Sequence, residues 1–200
     1  MGEMKIKLIF IYLMPILCGC FIRISQKEKK AFSDFADYCY TNQVNEEVSN
    51  KIRMNGLYQM RSSYCIFYSD GFWIEGCCEH DRDFINNVQP KIPSFDKWGV
   101  YHISGDTVKI RYLYTVQVPY DAWDCWYLIE NRERINLIIN TRTQPITEWM
   151  LQLEQRKFPD GQKFTFVQKD SLPDMNLSWF KQSKWLWCDK VAYEKWKASQ

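Results

Sequence analysis

The clearest pattern in the chain is an alternation from Thr107 to Val118: Val108, Ile110, Tyr112, Tyr114, Val116 and Val118 fall on one face, and Thr107, Lys109, Arg111, Thr115 and Gln117 on the other. A two-residue period of this kind predicts a strand with one buried and one wet face, and Leu113 is the single exception. The turn signal Ser104-Gly105-Asp106 joins it to a partner strand from Trp98 to Ile103. Gly56 to Met60, Tyr64 to Tyr68 and Phe72 to Gly76 read as three more strands, the last two connected by Ser69-Asp70-Gly71, a hairpin signal between aromatic runs. Trp126 to Glu130 and Arg134 to Ile139 form a further hairpin around Asn131 and Arg132, and Phe164 to Val167 follows the turn Pro159-Asp160-Gly161. About eight short strands separated by turns predict a mainly β chain, an antiparallel barrel or sandwich, and eight are enough to close a small barrel.

Helical spacing interrupts this pattern at three places. From Gln26 to about Tyr40, Phe32, Phe35, Ala36 and Cys39 recur among Lys27, Glu28, Lys29, Lys30, Asp34 and Asp37, which predicts an amphipathic helix. Thr41 to Asn50 is polar and reads as the end of a tether or a short helical turn, so the β-domain is placed at 51–200. Ile146, Trp149, Met150 and Leu153 predict a short helix near residues 145–155, and another is expected near the C-terminus. The stretch from Cys77 to Lys97 is long, polar and interrupted by Pro90 and Pro93, a loop that covers one end of the sheet. After Pro173, the rings of Trp179, Phe180, Trp185, Trp187, Tyr193 and Trp196 alternate with Lys181, Lys184, Lys190, Lys195 and Lys197. Such rings pack on a barrel beneath lysine stems, or they form a stacking platform for sugars or an exported partner.

The first residues change the picture. A short basic region at Lys5 and Lys7 precedes an apolar run from Leu8 to Leu17, broken only by Pro15. That run is shorter than the roughly 20 residues needed to span a bilayer as a helix. It ends in Leu17-Cys18-Gly19-Cys20, which resembles the bacterial lipobox. The resemblance implies that residues 1–19 are a lipoprotein signal peptide. It also implies that Cys20 is diacylated on sulfur, cut free and acylated again with chains of the palmitate kind, so that the membrane is a partner through this anchor and residues 20–50 are the tether. Phe21 stands where inner-membrane lipoproteins carry a retention aspartate, which favours the outer membrane of the cell envelope.

The formal net charge of +2 is spread over interspersed acids and bases, so electrostatics suggests no polyanionic partner, and export disfavours nucleic acid. Six cysteines remain besides Cys18 and Cys20: Cys39, Cys65, Cys77, Cys78, Cys125 and Cys188. Outside the cytoplasm they can form disulfides, but their spacing does not say which, and buried free thiols are an equal reading.

Chemistry-bearing motifs are few. Cys77-Cys78-Glu79-His80-Asp81 offers ligand types for a metal, with Cys77 and His80 the candidates. Consecutive residues converge on one ion only through a tight backbone wrap, and no second cluster supplies the remaining ligands, so no metal is expected. The only histidines are His80 and His102, there is no Gly-x-Ser-x-Gly elbow and no phosphate loop, and no cofactor is expected. His102 shares a strand face with Trp98 and Val100, the setting of a satisfied core or rim histidine.

Tyr64-Cys65-Ile66-Phe67-Tyr68-Ser69-Asp70-Gly71, then Trp98-Gly99-Val100-Tyr101 and Gly105-Asp106-Thr107-Val108-Lys109-Ile110, resemble the lipocalin-like domains of bacterial lipoproteins over residues 52–140. Gly56-x-Tyr58 stands where lipocalins carry Gly-x-Trp. The resemblance implies the barrel fold. The expected function is a membrane-anchored binding module for a small apolar ligand in the barrel mouth or for another envelope component. Tyr112, Tyr114 and Trp126 are the candidate interior rings, and Trp185 and Trp187 the candidate surface rings. The alternative is a structural or accessory subunit of an envelope protein complex, with a solid barrel and the aromatic tail as contact; a hydrolase using His80 or His102 comes third.

Overall fold

The alternation runs through eight strands, which the computed structural model closes into a barrel; residues 24–33, 37–42, 46–85, 95–115, 121–157 and 162–200 are described. The signal peptide, Cys20, Asp34, Phe35, Ala36, Pro90, Pro93, Val116, Gln117, Val118 and the turn Pro159-Asp160-Gly161 lie outside these residues. The strands are β1 (Gly56–Met60), β2 (Ser63–Phe67), β3 (Phe72–Cys77), β4 (Lys97–Ser104), β5 (Thr107–Tyr114), β6 (Asp121–Asn131), β7 (Arg134–Arg142) and β8 (Gln162–Gln168). Each pairs antiparallel with the next, and β8 closes on β1, so of the barrel and the sandwich that the pattern allows the chain forms the closed antiparallel barrel, the architecture that the lipocalin-like resemblance implies. Helices α1 (Gln26–Ser33), α2 (Glu46–Lys51), α3 (Arg82–Ile85), α4 (Glu148–Lys157) and α5 (Lys190–Ala198) lie around it.

The strand pleat separates two apolar clusters. Inside the barrel, Tyr58, Phe67, Trp73, Tyr101, Val108, Ile110, Tyr112, Tyr127, Ile135, Phe164 and Phe166 pack together. Phe67 touches Tyr58, Tyr101 and Tyr127 edge to face, so rings from opposite walls meet across the axis. Burying each such ring contributes about 1.5–3 kcal/mol. The second cluster lies on the outer wall, where Leu57, Tyr64, Ile66, Phe72, Ile74, Trp98, Val100 and Leu113 meet Phe32, Tyr40, Phe180, Leu186 and Trp187. Leu113 breaks the alternation because this part of the outer wall is covered by protein instead of water.

The cover is tied at both ends of the chain. Phe32 of α1 packs edge to face on Phe180 and Trp185, and Tyr40 sits between Phe72 and Trp187. A disulfide joins Cys39 to Cys188 beside a β-bridge between Tyr40 and Trp187. The N-terminal helix therefore does not reach Tyr40 as its spacing suggested. Asp37 and Tyr38 form a turn, Tyr40 joins a β-bridge to Trp187, and its hydroxyl donates to Asp70 Oδ2 at 2.5 Å.

Two further expectations are corrected. β6 starts at Asp121, well before Trp126, because Asp124, which reads as a loop residue, is buried in an ion pair with Arg111 on the same outer face. Trp126 is opposite Lys109 and faces outward under its ammonium group (4.7 Å from the ring centroid), so it is not an interior ring.

Closure of β8 on β1 depends on Gly56. A Cβ there would lie 2.2 Å from the Val167 carbonyl oxygen and 2.9 Å from Gln168 Cα, both backbone atoms that cannot yield without parting the strands. Gly56→Ala is expected to lower unfolding free energy by about 1–3 kcal/mol, measured by urea denaturation.

Candidate functional site

The two ends of the barrel differ. At the end carrying the β2–β3, β4–β5 and β6–β7 turns, α2 acts as a plug, with Val48 and Ile52 entering the interior cluster. Lys51 Nζ donates to the Gly105 carbonyl (2.6 Å), Arg132 Nη2 to the Ser49 carbonyl (3.0 Å) and Arg53 Nη1 to Glu133 Oε1 (2.8 Å). The Tyr58 hydroxyl donates to the Arg132 carbonyl (2.8 Å) and accepts from Arg53 N (2.9 Å), which ties the aromatic of Gly56-x-Tyr58 to this plug. A surface depression of about 610 Å³ lies over this junction, lined by Arg53, Asn55, Arg132 and Glu133 among others. Arg53 and Glu133 pair with each other there, and Arg132 donates to the Ser49 carbonyl.

The opposite end is the mouth. Here the interior positions Met60, Tyr114, Trp123 and Leu137 are only partly buried, and they stand on the packed rings of the lower barrel. Glu75 and Lys97 are cross-strand partners that pair as an ion pair on the inner face, with side chains 14% and 18% exposed. Glu75 overcomes the burial that would otherwise lower the Lys97 pKa, and the net effect is upward. Tyr112 donates its hydroxyl to Asn140 Oδ1 at 2.8 Å. Cys65 and Cys125 lie below; burial, reinforced by the Glu75 carboxylate, holds both thiols protonated. Trp123 Nε1 is buried and, among the described residues, has no hydrogen-bond partner. An indole N–H withdrawn from water without an acceptor costs about 1–3 kcal/mol, so an acceptor arriving there recovers that cost.

Of the five candidate binding residues, only Tyr112 and Tyr114 are in this mouth. Trp126 is on the outer wall, Trp185 is partly buried against Phe32 and Phe180, and Trp187 is fully buried against Tyr40, Tyr193 and Trp196. The sequence pattern did not point to Glu75, Lys97 and Trp123. A charge at a strand position reads as solvent-facing, and only strand parity combined with closure turns these three inward.

The remaining candidates are elsewhere. Cys77 ends β3, His80 is exposed in the following turn, and the Asp81 carboxylate accepts from the Tyr64 hydroxyl at 2.8 Å. Among the described residues no group of three or more His, Cys, Asp or Glu side chains is placed to hold a metal ion. His102 is on the outer wall, edge to face with Tyr38 and 3.1 Å from the Asp37 carbonyl oxygen, and burial lowers its pKa. Cys39 and Cys188 are disulfide-bonded, and Cys65, Cys77, Cys78 and Cys125 are free thiols.

These features define a small antiparallel barrel with a ring-packed interior, closed at one end by α2 and carrying Met60, Tyr114, Trp123, Leu137 and the Glu75–Lys97 ion pair at the other. Comparison of the chain with protein-family models, curated proteins and solved structures gives no match. Among the described residues no helix is long and apolar enough to cross a membrane.

Proposed function

We propose that the protein is a lipid-anchored lipoprotein of the cell envelope, held through Cys20 in the outer membrane, whose barrel mouth binds a small and mainly apolar molecule bearing one acceptor oxygen. The observation that carries the binding reading is Trp123. Among the described residues its buried indole nitrogen has no acceptor, and it stands beside Met60, Tyr114 and Leu137 at the end of the barrel that also carries the Glu75–Lys97 pair. Pockets of this composition take ligands by apolar burial and orient them with one or two polar groups. The filled lower barrel limits the ligand to the mouth and so to a small size. The anchoring reading draws support from the Leu17-Cys18-Gly19-Cys20 resemblance and from the Cys39–Cys188 disulfide, which belongs in an oxidising compartment.

The ring-packed interior also favours the second reading, an accessory subunit of an envelope complex. The tail that would make its contact spends most of its rings on its own barrel, since Phe180, Leu186 and Trp187 are all at most 1% exposed.

Titration with N-phenyl-1-naphthylamine separates the two. Leu137→Lys places an ammonium group in the mouth, and probe affinity is expected to fall about tenfold or more, because an apolar ligand leaves the new charge desolvated. Leu128→Lys, on the outer face, is expected to leave it unchanged. Equal affinity of the Leu137→Lys and native proteins would remove the mouth as the site.

A further inference from the structure

We propose that the mouth of the barrel faces the membrane that holds the lipid anchor, with Trp149 seated in the bilayer interface, so that the site exchanges its ligand with the membrane surface. This rests on lipid anchoring at Cys20. Its first support is the path of the chain along the outer wall. Glu28 Oε2 accepts from Ala122 N (2.6 Å) at the mouth end of β6, and the Ala31 carbonyl accepts from Arg111 (2.6 Å) farther down. Next, Asp37 meets His102, and the Tyr40 hydroxyl reaches Asp70 in the β2–β3 turn at the plugged end. The chain therefore enters the domain at the mouth and runs away from it.

The length of the tether turns this path into an orientation. Only residues 21–23 separate Cys20 from Ile24, whose side chain packs on the outer-wall cluster. Four extended steps span at most about 14 Å. A strand as long as β6, Asp121–Asn131, covers more than twice that distance at about 3.3 Å per residue. A lipid at Cys20 thus brings the mouth to the headgroups and holds the plugged end away from them.

Trp149 supplies the second, independent support. The β7–β8 connection leaves the barrel at the mouth, where Thr143 N donates to the Ala122 carbonyl (3.0 Å), and it carries α4. On α4, Trp149 is 66% exposed, more than any other large apolar side chain described. An exposed indole is at home at a membrane interface, where its ring is buried and its N–H stays wet. The occupant favoured here is the lipid surface, because the anchor already holds this face against it. A mouth so placed draws an apolar ligand from the phase in which that ligand is concentrated.

The test uses the full chain, processed in a bacterial host. The photoreactive residue p-benzoylphenylalanine replaces Trp149 in one strain and Leu128, exposed on β6 toward the plugged end, in another. After irradiation of intact membranes the chain is purified and weighed. Phospholipid adducts are expected at position 149, several-fold above those at 128. Equal yields, a preference for 128, or no adduct at either position overturns the orientation. The same spectra report the acyl mass on Cys20. Its absence defeats the anchoring on which the orientation rests, whereas an acylated chain without adducts at 149 defeats the orientation alone.

Discussion

Asp124→Ala is expected to cost about 3–5 kcal/mol of unfolding free energy, the largest loss from any single polar substitution in this barrel. Asp124 and Arg111 face each other across β5 and β6 on the outer wall, with side chains 3% and 7% exposed. Arg111 Nε donates to Asp124 Oδ1 (2.7 Å) and Nη2 to Oδ2 (3.0 Å), while Nη1 donates to the Ala31 carbonyl (2.6 Å). Its guanidinium also stacks on Tyr38, 3.9 Å from the ring centroid. Removing the carboxylate leaves a cation that cannot lose its proton buried beneath α1, and either the charge stays unpaired or the helix lifts. Urea denaturation measures the loss. Arg142→Ala at the exposed Asp121 pair serves as the control and is expected to stay within about 1 kcal/mol. A midpoint for Asp124→Ala no lower than the control's would mean that α1 does not cover the pair in solution.

The second large effect is the removal of the Cys39–Cys188 bridge. Its cysteines are 149 residues apart in sequence, so the link closes nearly the whole domain into a loop. Chain-entropy reasoning gives a limit of about 5 kcal/mol for a loop of that size, and native bridges commonly contribute about 2–5 kcal/mol. Cys39→Ser is expected to lower stability within that range. It is also expected to free the outer cover first, because the bridge fastens Tyr40 and Trp187 to each other, and Tyr40 packs on Phe72 of the barrel. Hydrogen exchange at Tyr40 N, which donates to the Leu186 carbonyl, should therefore accelerate before exchange at the barrel strands. An unchanged denaturation midpoint in Cys39→Ser would contradict the assignment of this pair.

These two sites also mark the limit of what the sequence discloses. The hairpins were legible because a period of two and an Asp-Gly or Gly-Asp turn are local signals. Tyr112 and Tyr114 were placed on the inner face for the same reason, by counting along β5. The same count puts Arg111 on the wet face; its parity holds, but the side chain is buried there. What the count could not supply was α1 lying over that face, although Leu113, the apolar residue out of phase, was a trace of it. Trp126, expected inside the barrel, faces outward because its register opposite Lys109 puts it on the outer wall. The plug formed by α2 is hidden in a polar stretch, from which, among the described residues, Val48 enters the interior cluster. Glu75, Lys97 and Trp123 come from three strands, so their convergence exists only once the barrel is closed.

The proposed function joins two features, a small molecule held at the barrel mouth and an acylated Cys20. Native mass spectrometry of the protein extracted from membranes reads both features together. The expected spectrum shows a chain beginning at Cys20 with acyl mass attached and a small non-covalent adduct that is absent from Leu137→Lys. A chain that retains residues 1–19, or an adduct-free mass in repeated preparations of the native protein, would contradict it.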